Sequence, residues 1–144
     1  MVARKRSTGS APRLVLVVED DAYTREMYAK WLAFSGFRVE EATAAEDAIE
    51  KARRLRPDLI TTEIRLKGGD KGLQLCAELK KSTQTKGIPI IAVTGWEMGE
   101  CVEKARRAGC DLVLVKPCLP ETLLAEIQRL LKLPATRPRP NRRS

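Results

Sequence analysis

The stretch "LVLVVEDD", residues 14–21, places five apolar residues directly before three acids. A short run rich in Val and Leu is typical of a strand that is buried on both faces of a sheet. The acids that follow, Glu19, Asp20 and Asp21, mark the point where this strand meets a loop. The stretch therefore predicts a buried parallel strand with carboxylates at its carboxyl end.

Strand and helix patterns alternate strictly along the rest of the chain. Further strands are predicted over residues 37–42, 58–62, 88–94 and 112–115. Helices are predicted over residues 22–34, 45–54 and 72–82, around residues 98–105 up to Gly109, and from Pro120 onward. This alternation predicts a flavodoxin-like, doubly wound sheet of five parallel strands in the order 2-1-3-4-5, with five helices.

Two local patterns make this prediction more specific. In the first helix, Met27, Trp31 and Phe34 recur at helical spacing, with Tyr28 and Leu32 beside them, which predicts that they form one apolar side of the helix. Before the second helix, "TAAE" (residues 43–46) has the spacing of a capping box. Both patterns predict contacts that fix how the helices begin and which faces they bury.

Length and charge define one folded unit between two basic tails. The chain has 144 residues and a net charge of +8, and residues 1–13 and 133–144, which hold eight basic residues and no acids, account for all of this excess. We expect a domain over residues 13–132 and disordered basic tails at residues 1–12 and 133–144. Without interleaved aromatic residues, such tails favour solubility over nucleic-acid binding.

The composition excludes several classes of site and enzyme. The chain has no histidine, so any Cys–His or Ser–His nucleophile is excluded. Its four cysteines are dispersed and form no C-x-x-C pair, so a zinc site is disfavoured. The cysteines are typical of reduced thiols in a cytoplasmic protein. No apolar run approaches the ~20 residues that a membrane span requires, so no contact with a membrane is expected.

Chemistry-bearing residues follow four of the five predicted strands. Glu19 and Asp20 follow the first strand, Glu63 the third, Thr94 ends the fourth, and Lys116 follows the fifth. In a sheet of this order, these carboxyl ends meet at a switch point where ligands bind. Clustered carboxylates suit Mg²⁺, and a lysine with a hydroxyl suits phosphoryl oxygens. The pattern predicts a pocket for a phosphoryl group.

The chain resembles the receiver domain of two-component response regulators over about residues 13–132. The segments that carry the resemblance are "LVLVVEDD", "PDLITTEIRL", "IIAVTG" and "LVLVKP", in this order and with the family's spacing. The resemblance implies phosphorelay signal transduction by a non-enzymatic domain without an output domain. It also implies a sensor histidine kinase, a phosphotransfer protein or a downstream signalling protein as partner, bound through the α4–β5–α5 face.

The resemblance also assigns roles to single residues. It implies Mg²⁺ as cofactor, with Asp20 as a direct ligand, Glu19 acting through water, and Glu63 and the backbone carbonyl of Arg65 completing the site. Asp21 matches none of the family's acids, and is either a surface residue or a helix N-cap.

On the phosphate side, the resemblance makes Thr94 the switch hydroxyl and Lys116 the phosphate-binding lysine. The peptide bond from Lys116 to Pro117 is expected to be cis, as in the family.

Several positions depart from the family. Glu63 stands where the family has the phosphate-accepting aspartate, and its carboxylate sits ~1.5 Å further into the pocket, within reach of Lys116. Val113 replaces an aromatic switch residue, and Lys67 stands where proline is common. Trp96, after the fourth strand, is either an exposed partner contact or a cover for the core.

Several interpretations of function remain open. The chain is a pseudo-receiver that never accepts phosphate, a receiver held in an active-like state, or an ordinary receiver with an engineered change from Asp to Glu. A Mg²⁺-dependent phosphatase on the same fold is disfavoured, because the first strand does not end in the D-x-D pattern. A nucleic-acid-binding protein working through its tails is a third class.

Overall fold

The alternation of strands and helices is confirmed. The structure, a computed structural model, describes residues 11–67, 69–95 and 99–135, with residues 99–101 described for their backbone alone. The elements are β1 (Leu14–Val18), α1 (Ala22–Phe34), β2 (Arg38–Ala42), α2 (Ala45–Leu55), β3 (Leu59–Thr62), α3 (Lys71–Lys81), β4 (Ile90–Thr94), α4 (Gly99–Ala108), β5 (Leu112–Val115) and α5 (Pro120–Leu131).

The strands pair in the predicted order, β2-β1-β3-β4-β5, and every pair is parallel. At the carboxyl end of the sheet, Val18 of β1 lies opposite Thr62 of β3. On the other side of β3, Thr94 of β4 lies opposite Val115 of β5. The residues that follow these pairs therefore leave the sheet at its carboxyl end, which is where the predicted site residues lie.

Successive strand residues point to opposite faces, so the sheet separates two hydrophobic cores. One core packs α1 and α5 against one face, and the other packs α2, α3 and α4 against the opposite face. Both faces of β1, β3 and β4 are covered, and every residue of these strands is buried. This explains why none of them alternates apolar with charged residues: β1 is apolar throughout, and the polar residues of β3 and β4 are all threonines.

Three predictions about helix and strand details are corrected. Phe34 is not an inner residue but is 59% exposed, because α1 presents Tyr28 and Leu32 to the sheet and Phe34 lies outside that arc. The capping box at residues 43–46 does not form: α2 has Ala44 as its N-cap, so Thr43 stands one residue too early. The strand predicted from Ile88 begins at Ile90, because the preceding proline has no N–H to donate to the ladder.

The helix ends follow the glycine signals. Gly36 and Gly109 adopt φ values of 101° and 108°, a conformation that glycine adopts without strain. Leu133, just beyond the predicted end of the domain, still packs against the core on the α1–α5 face. Residues 1–10 and 136–144, which hold most of the predicted tails, and Trp96 lie outside the described residues. Within the described part of the chain, no helix is long and apolar enough to cross a membrane.

One hydrogen bond fixes α1 to the loop that follows β5. The hydroxyl of Tyr28, on α1, donates to the backbone carbonyl of Cys118 over 2.7 Å. This carbonyl lies two residues after Lys116, whose peptide bond to Pro117 is cis, as predicted. Tyr28 is 3% exposed, so its hydroxyl has little access to water as an alternative partner. The bond therefore helps to position the segment that carries Lys116.

We predict that Tyr28→Phe lowers the free energy of unfolding by about 1 kcal/mol, because it leaves the Cys118 carbonyl without this donor. Burial raises the pKa of Tyr28 from 10.0 to about 12. The wild type therefore loses stability as the pH rises through this interval, whereas the variant has no such loss. The difference between the two proteins in the free energy of unfolding, measured by urea denaturation, should therefore become smaller as the pH increases.

Tyr23→Phe is the matched control, because Tyr23 lies on the same helix and is 78% exposed. It should leave the stability unchanged. Equal effects of the two substitutions at neutral pH would show that the Tyr28 bond does not contribute.

Candidate functional site

The carboxyl ends of β1, β3 and β5 deliver two carboxylates and one ammonium group to a single point. The Nζ atom of Lys116 lies 2.9 Å from Glu19 Oε1 and 2.8 Å from Glu63 Oε1. The side chains of Glu19 and Glu63 are 5% and 8% exposed, and that of Lys116 is 24% exposed. Lys116 therefore bridges two buried carboxylates that would otherwise repel each other.

The second carboxylate oxygen of each glutamate is held by backbone N–H groups. Glu63 Oε2 accepts from the N–H groups of Ile64 and Arg65, at 2.7 and 3.1 Å. Glu19 Oε2 accepts from the N–H of Asp21 at 3.1 Å. Both oxygens of each carboxylate thus accept hydrogen bonds, which offset part of the cost of burying them.

This arrangement shifts the pKa values of the groups that form it. Burial lowers the pKa of Lys116, but its hydrogen bonds to Glu63 and Glu19 outweigh this effect, and the pKa lies above its ordinary value. Burial raises the pKa of Glu19, although the hydrogen bond from Lys116 opposes the shift. For Glu19, loss of hydration is thus the larger effect, and the lysine is what makes a charged carboxylate tolerable there.

Two other residues predicted for the metal site, Asp20 and (through its backbone carbonyl) Arg65, have side-chain contacts outside this bridge. Asp20 Oδ2 accepts from the backbone N–H of Lys67 at 2.9 Å and so fastens the loop after β3 to the end of β1. The Arg65 side chain is exposed, with its Nε 3.8 Å from Asp70 Oδ1. Asp21 is the N-cap of α1 and accepts from the N–H of Thr24, as one of the two interpretations held.

Thr94, the predicted switch hydroxyl, ends β4, and Val113, which stands at the family's aromatic switch position, lies on β5. Thr94 is fully buried at the end of β4, and its backbone carbonyl accepts from the N–H of Lys116 at 2.8 Å. Val113, three residues before Lys116, packs against the core on the α2–α3–α4 face. The backbone of β4 therefore sets the position of Lys116, and no ring stands at residue 113 beside it.

The donor set does not fit a divalent metal ion. Among the described residues, no three Cys, His, Asp or Glu side chains are grouped so that they could hold one. Both oxygens of Glu19 and of Glu63 already accept hydrogen bonds. Mg²⁺ requires oxygen ligands in near-octahedral geometry. In this arrangement, Asp20 is the main carboxylate left to bind the ion.

Gly72 is a structural element of the site that the sequence interpretation did not identify. A Cβ atom at Gly72 would lie 2.2 Å from the backbone carbonyl oxygen of Glu63 and 2.6 Å from Ile64 Cα. The N–H of Gly72 also donates to the carbonyl of Ile64 at 2.9 Å. Glycine therefore lets the first turn of α3 pack directly on the backbone that carries Glu63. The only signal in the sequence is a glycine within a helical pattern.

We predict that Lys116→Met lowers the free energy of unfolding at neutral pH by about 3 kcal/mol, because it leaves two buried carboxylates without a counter-ion. Loss of the ammonium group raises the pKa of Glu19 further. A raised folded-state pKa gives stability that is present below the ordinary value of 4.5 and lost as the pH rises. The loss in free energy of unfolding of Lys116→Met, relative to the wild type, should therefore become smaller as the pH of the urea denaturation is lowered.

Lys104→Met is the control, since Lys104 is an exposed residue of α4. A deficit for Lys116→Met that stayed constant from neutral to acidic pH would contradict the bridge. Such a result would attribute the loss to packing of the lysine stem alone.

Comparisons with known proteins agree with the fold and its motifs. The sequence model of the response regulator receiver domain matches residues 15–128. The phosphate regulon transcriptional regulatory protein PhoB of Escherichia coli (strain K12) is 33% identical over 120 residues, which cover 83% of this chain and 52% of that protein. The chain thus spans about half the length of the curated phosphate regulon relatives it matches.

The matches to a shorter relative and to two solved structures span a larger share of those proteins. The polar-differentiation response regulator DivK of Brucella anthropi is 32% identical over 106 residues, covering 74% of this chain and 85% of that protein. A putative response regulator from Chloroflexus aurantiacus superposes with a TM-score of 0.79 at 28% identity, covering 85% of this chain and 99% of its own. Chemotaxis response regulator CheY4 of Vibrio cholerae superposes with a TM-score of 0.77 at 30% sequence identity. The match covers 83% of this chain and 99% of the CheY4 chain. The chain therefore belongs to the response regulator receiver family.

Proposed function

We propose that this receiver works by binding partner proteins and that Glu63 does not accept phosphate. The observation that carries the proposal is the contact of 2.8 Å between Lys116 Nζ and Glu63 Oε1. In this arrangement, the residue at the acceptor position is already paired with the lysine that would otherwise hold a phosphoryl group. The domain is then a pseudo-receiver in a phosphorelay pathway and not an enzyme.

The environment of Glu63 supports this proposal, because hydrogen-bond donors already hold both of its carboxylate oxygens in place. One oxygen is bound to Lys116, and the other accepts from two backbone N–H groups. Transfer of a phosphoryl group requires an in-line approach to a free oxygen, and small misplacements of the reacting atoms are costly. The added methylene of glutamate is what allows the carboxylate to reach this fixed position.

The α4–β5–α5 face is the proposed docking surface. β5 is an edge strand of the sheet, and it ends at Val115, which is 40% exposed. Leu119, in the loop before α5, is 63% exposed. These two apolar side chains flank Lys116, so a partner that covers them would contact the segment that forms the bridge. Such a partner is a sensor histidine kinase, a phosphotransfer protein or a downstream signalling protein.

We predict that the wild-type chain gains no phosphoryl group when it is incubated with acetyl phosphate and Mg²⁺, because both Glu63 oxygens are engaged. Glu63→Asp shortens the side chain and withdraws the carboxylate from Lys116, so this variant should be labelled. Intact-protein mass spectrometry followed by peptide mapping measures the incorporation and its position.

Glu63→Gln serves as the control without a nucleophile at residue 63 and should remain unlabelled. Phosphate found on Glu63 of the wild type would overturn the proposed function. The same reagents applied to another receiver with an aspartate acceptor would show that the labelling conditions are adequate.

A further inference from the structure

We infer that the ammonium group of Lys116 takes the place of a divalent cation in this pocket, so that the site is assembled without Mg²⁺. The inference deepens the proposed function, because it states what the same site binds. It departs from the expectation that a receiver with this acidic pair takes Mg²⁺ as its cofactor.

The first argument is that the glutamate oxygens are already in use. Glu19 and Glu63 each give one oxygen to Lys116, and each gives the other oxygen to backbone N–H groups. A metal ion at either carboxylate would therefore have to share it with these donors or displace one of them. Because both side chains are less than a tenth exposed, a displaced backbone N–H would have little water to replace its partner.

The second argument concerns the third carboxylate. Asp20 is the predicted direct ligand, but its Oδ2 atom accepts from the Lys67 N–H. Asp20 is more exposed than its neighbour Glu19, so its side chain is partly accessible to water. One carboxylate with partial access to solvent is a weak Mg²⁺ site, because this ion gives up its hydration shell reluctantly.

The third argument is electrostatic. An ammonium group that lies within 3 Å of both glutamates already neutralises one of their two charges. A divalent ion at the same carboxylates would have to share this small volume with Lys116, and like charges at short range disfavour each other.

The bridge therefore performs the structural task of a metal ion. It joins the ends of β1, β3 and β5, which are the three strands that carry Glu19, Glu63 and Lys116. In this chain the link between the strand-3 carboxylate and the strand-5 lysine does not depend on the metal supply. A partner that recognises the carboxyl end of the sheet would bind equally well with and without Mg²⁺.

The experiment is a Mg²⁺ titration of the full chain. Binding is monitored by calorimetry and by the backbone amide NMR signals of residues 19–21 and 63–65. The wild type should show no saturable binding at millimolar Mg²⁺ beyond the effect of NaCl at matched ionic strength. Lys116→Met frees both glutamates, so Mg²⁺ should bind at least about tenfold more tightly than to the wild type. Lys104→Met is the matched control and should behave as the wild type does.

Two further variants keep the inference testable if Lys116→Met does not fold. Glu63→Asp retracts one carboxylate from the lysine and should also gain Mg²⁺ binding. Adding Asp20→Ala to Glu63→Asp should remove the gained binding, since it deletes the second carboxylate ligand of the ion.

Saturable binding of Mg²⁺ to the wild type that Asp20→Ala abolishes would overturn the inference. So would failure of both Lys116→Met and Glu63→Asp, folded by circular dichroism, to gain binding. These results differ from a failure of the proposed function, which would appear as phosphate on Glu63 in the mass spectrum.

Discussion

The contact of Lys116 with Glu19 and Glu63 is the interaction on which the rest of the site depends. Two carboxylates are buried at neighbouring strand ends, and in isolation each would lose hydration and repel the other. One ammonium group, 2.8 to 2.9 Å from both, offsets these costs. Because the three residues come from β1, β3 and β5, the bridge also joins elements that are distant in the sequence. The site is therefore part of the stability of the fold.

The neighbouring contacts can be understood as support for this bridge. Asp20 holds the loop after β3, and the close approach of Gly72 allows α3 to pack against the backbone of Glu63. Tyr28 fixes the loop after β5 to α1 through the carbonyl of Cys118. Each of these contacts lies one or a few residues from a member of the bridge. A receiver in which the acceptor position is locked in this way transmits a signal by its surface and its partners, as we propose.

Much of the fold could be predicted from the sequence, because buried parallel strands are apolar throughout and alternate with helices. The convergence of Glu19, Glu63 and Lys116 followed from the strand order alone. The directions of the side chains could not be predicted in the same way: Asp20 turns to the Lys67 N–H instead of the bridge. Phe34 fits a helical stripe, yet the arc of α1 that faces the sheet ends before it. Such details depend on backbone positions in the loops and on how each helix lies against the sheet.

The most direct test of the central claim is a crystal structure of the wild type determined at high resolution, both with and without millimolar Mg²⁺. The account predicts that Lys116 Nζ lies within hydrogen-bond distance of Glu19 and Glu63 in both crystals. It also predicts that no ion is coordinated by either glutamate. A Mg²⁺ ion bound to Glu63, with Lys116 displaced from that carboxylate, would contradict the account.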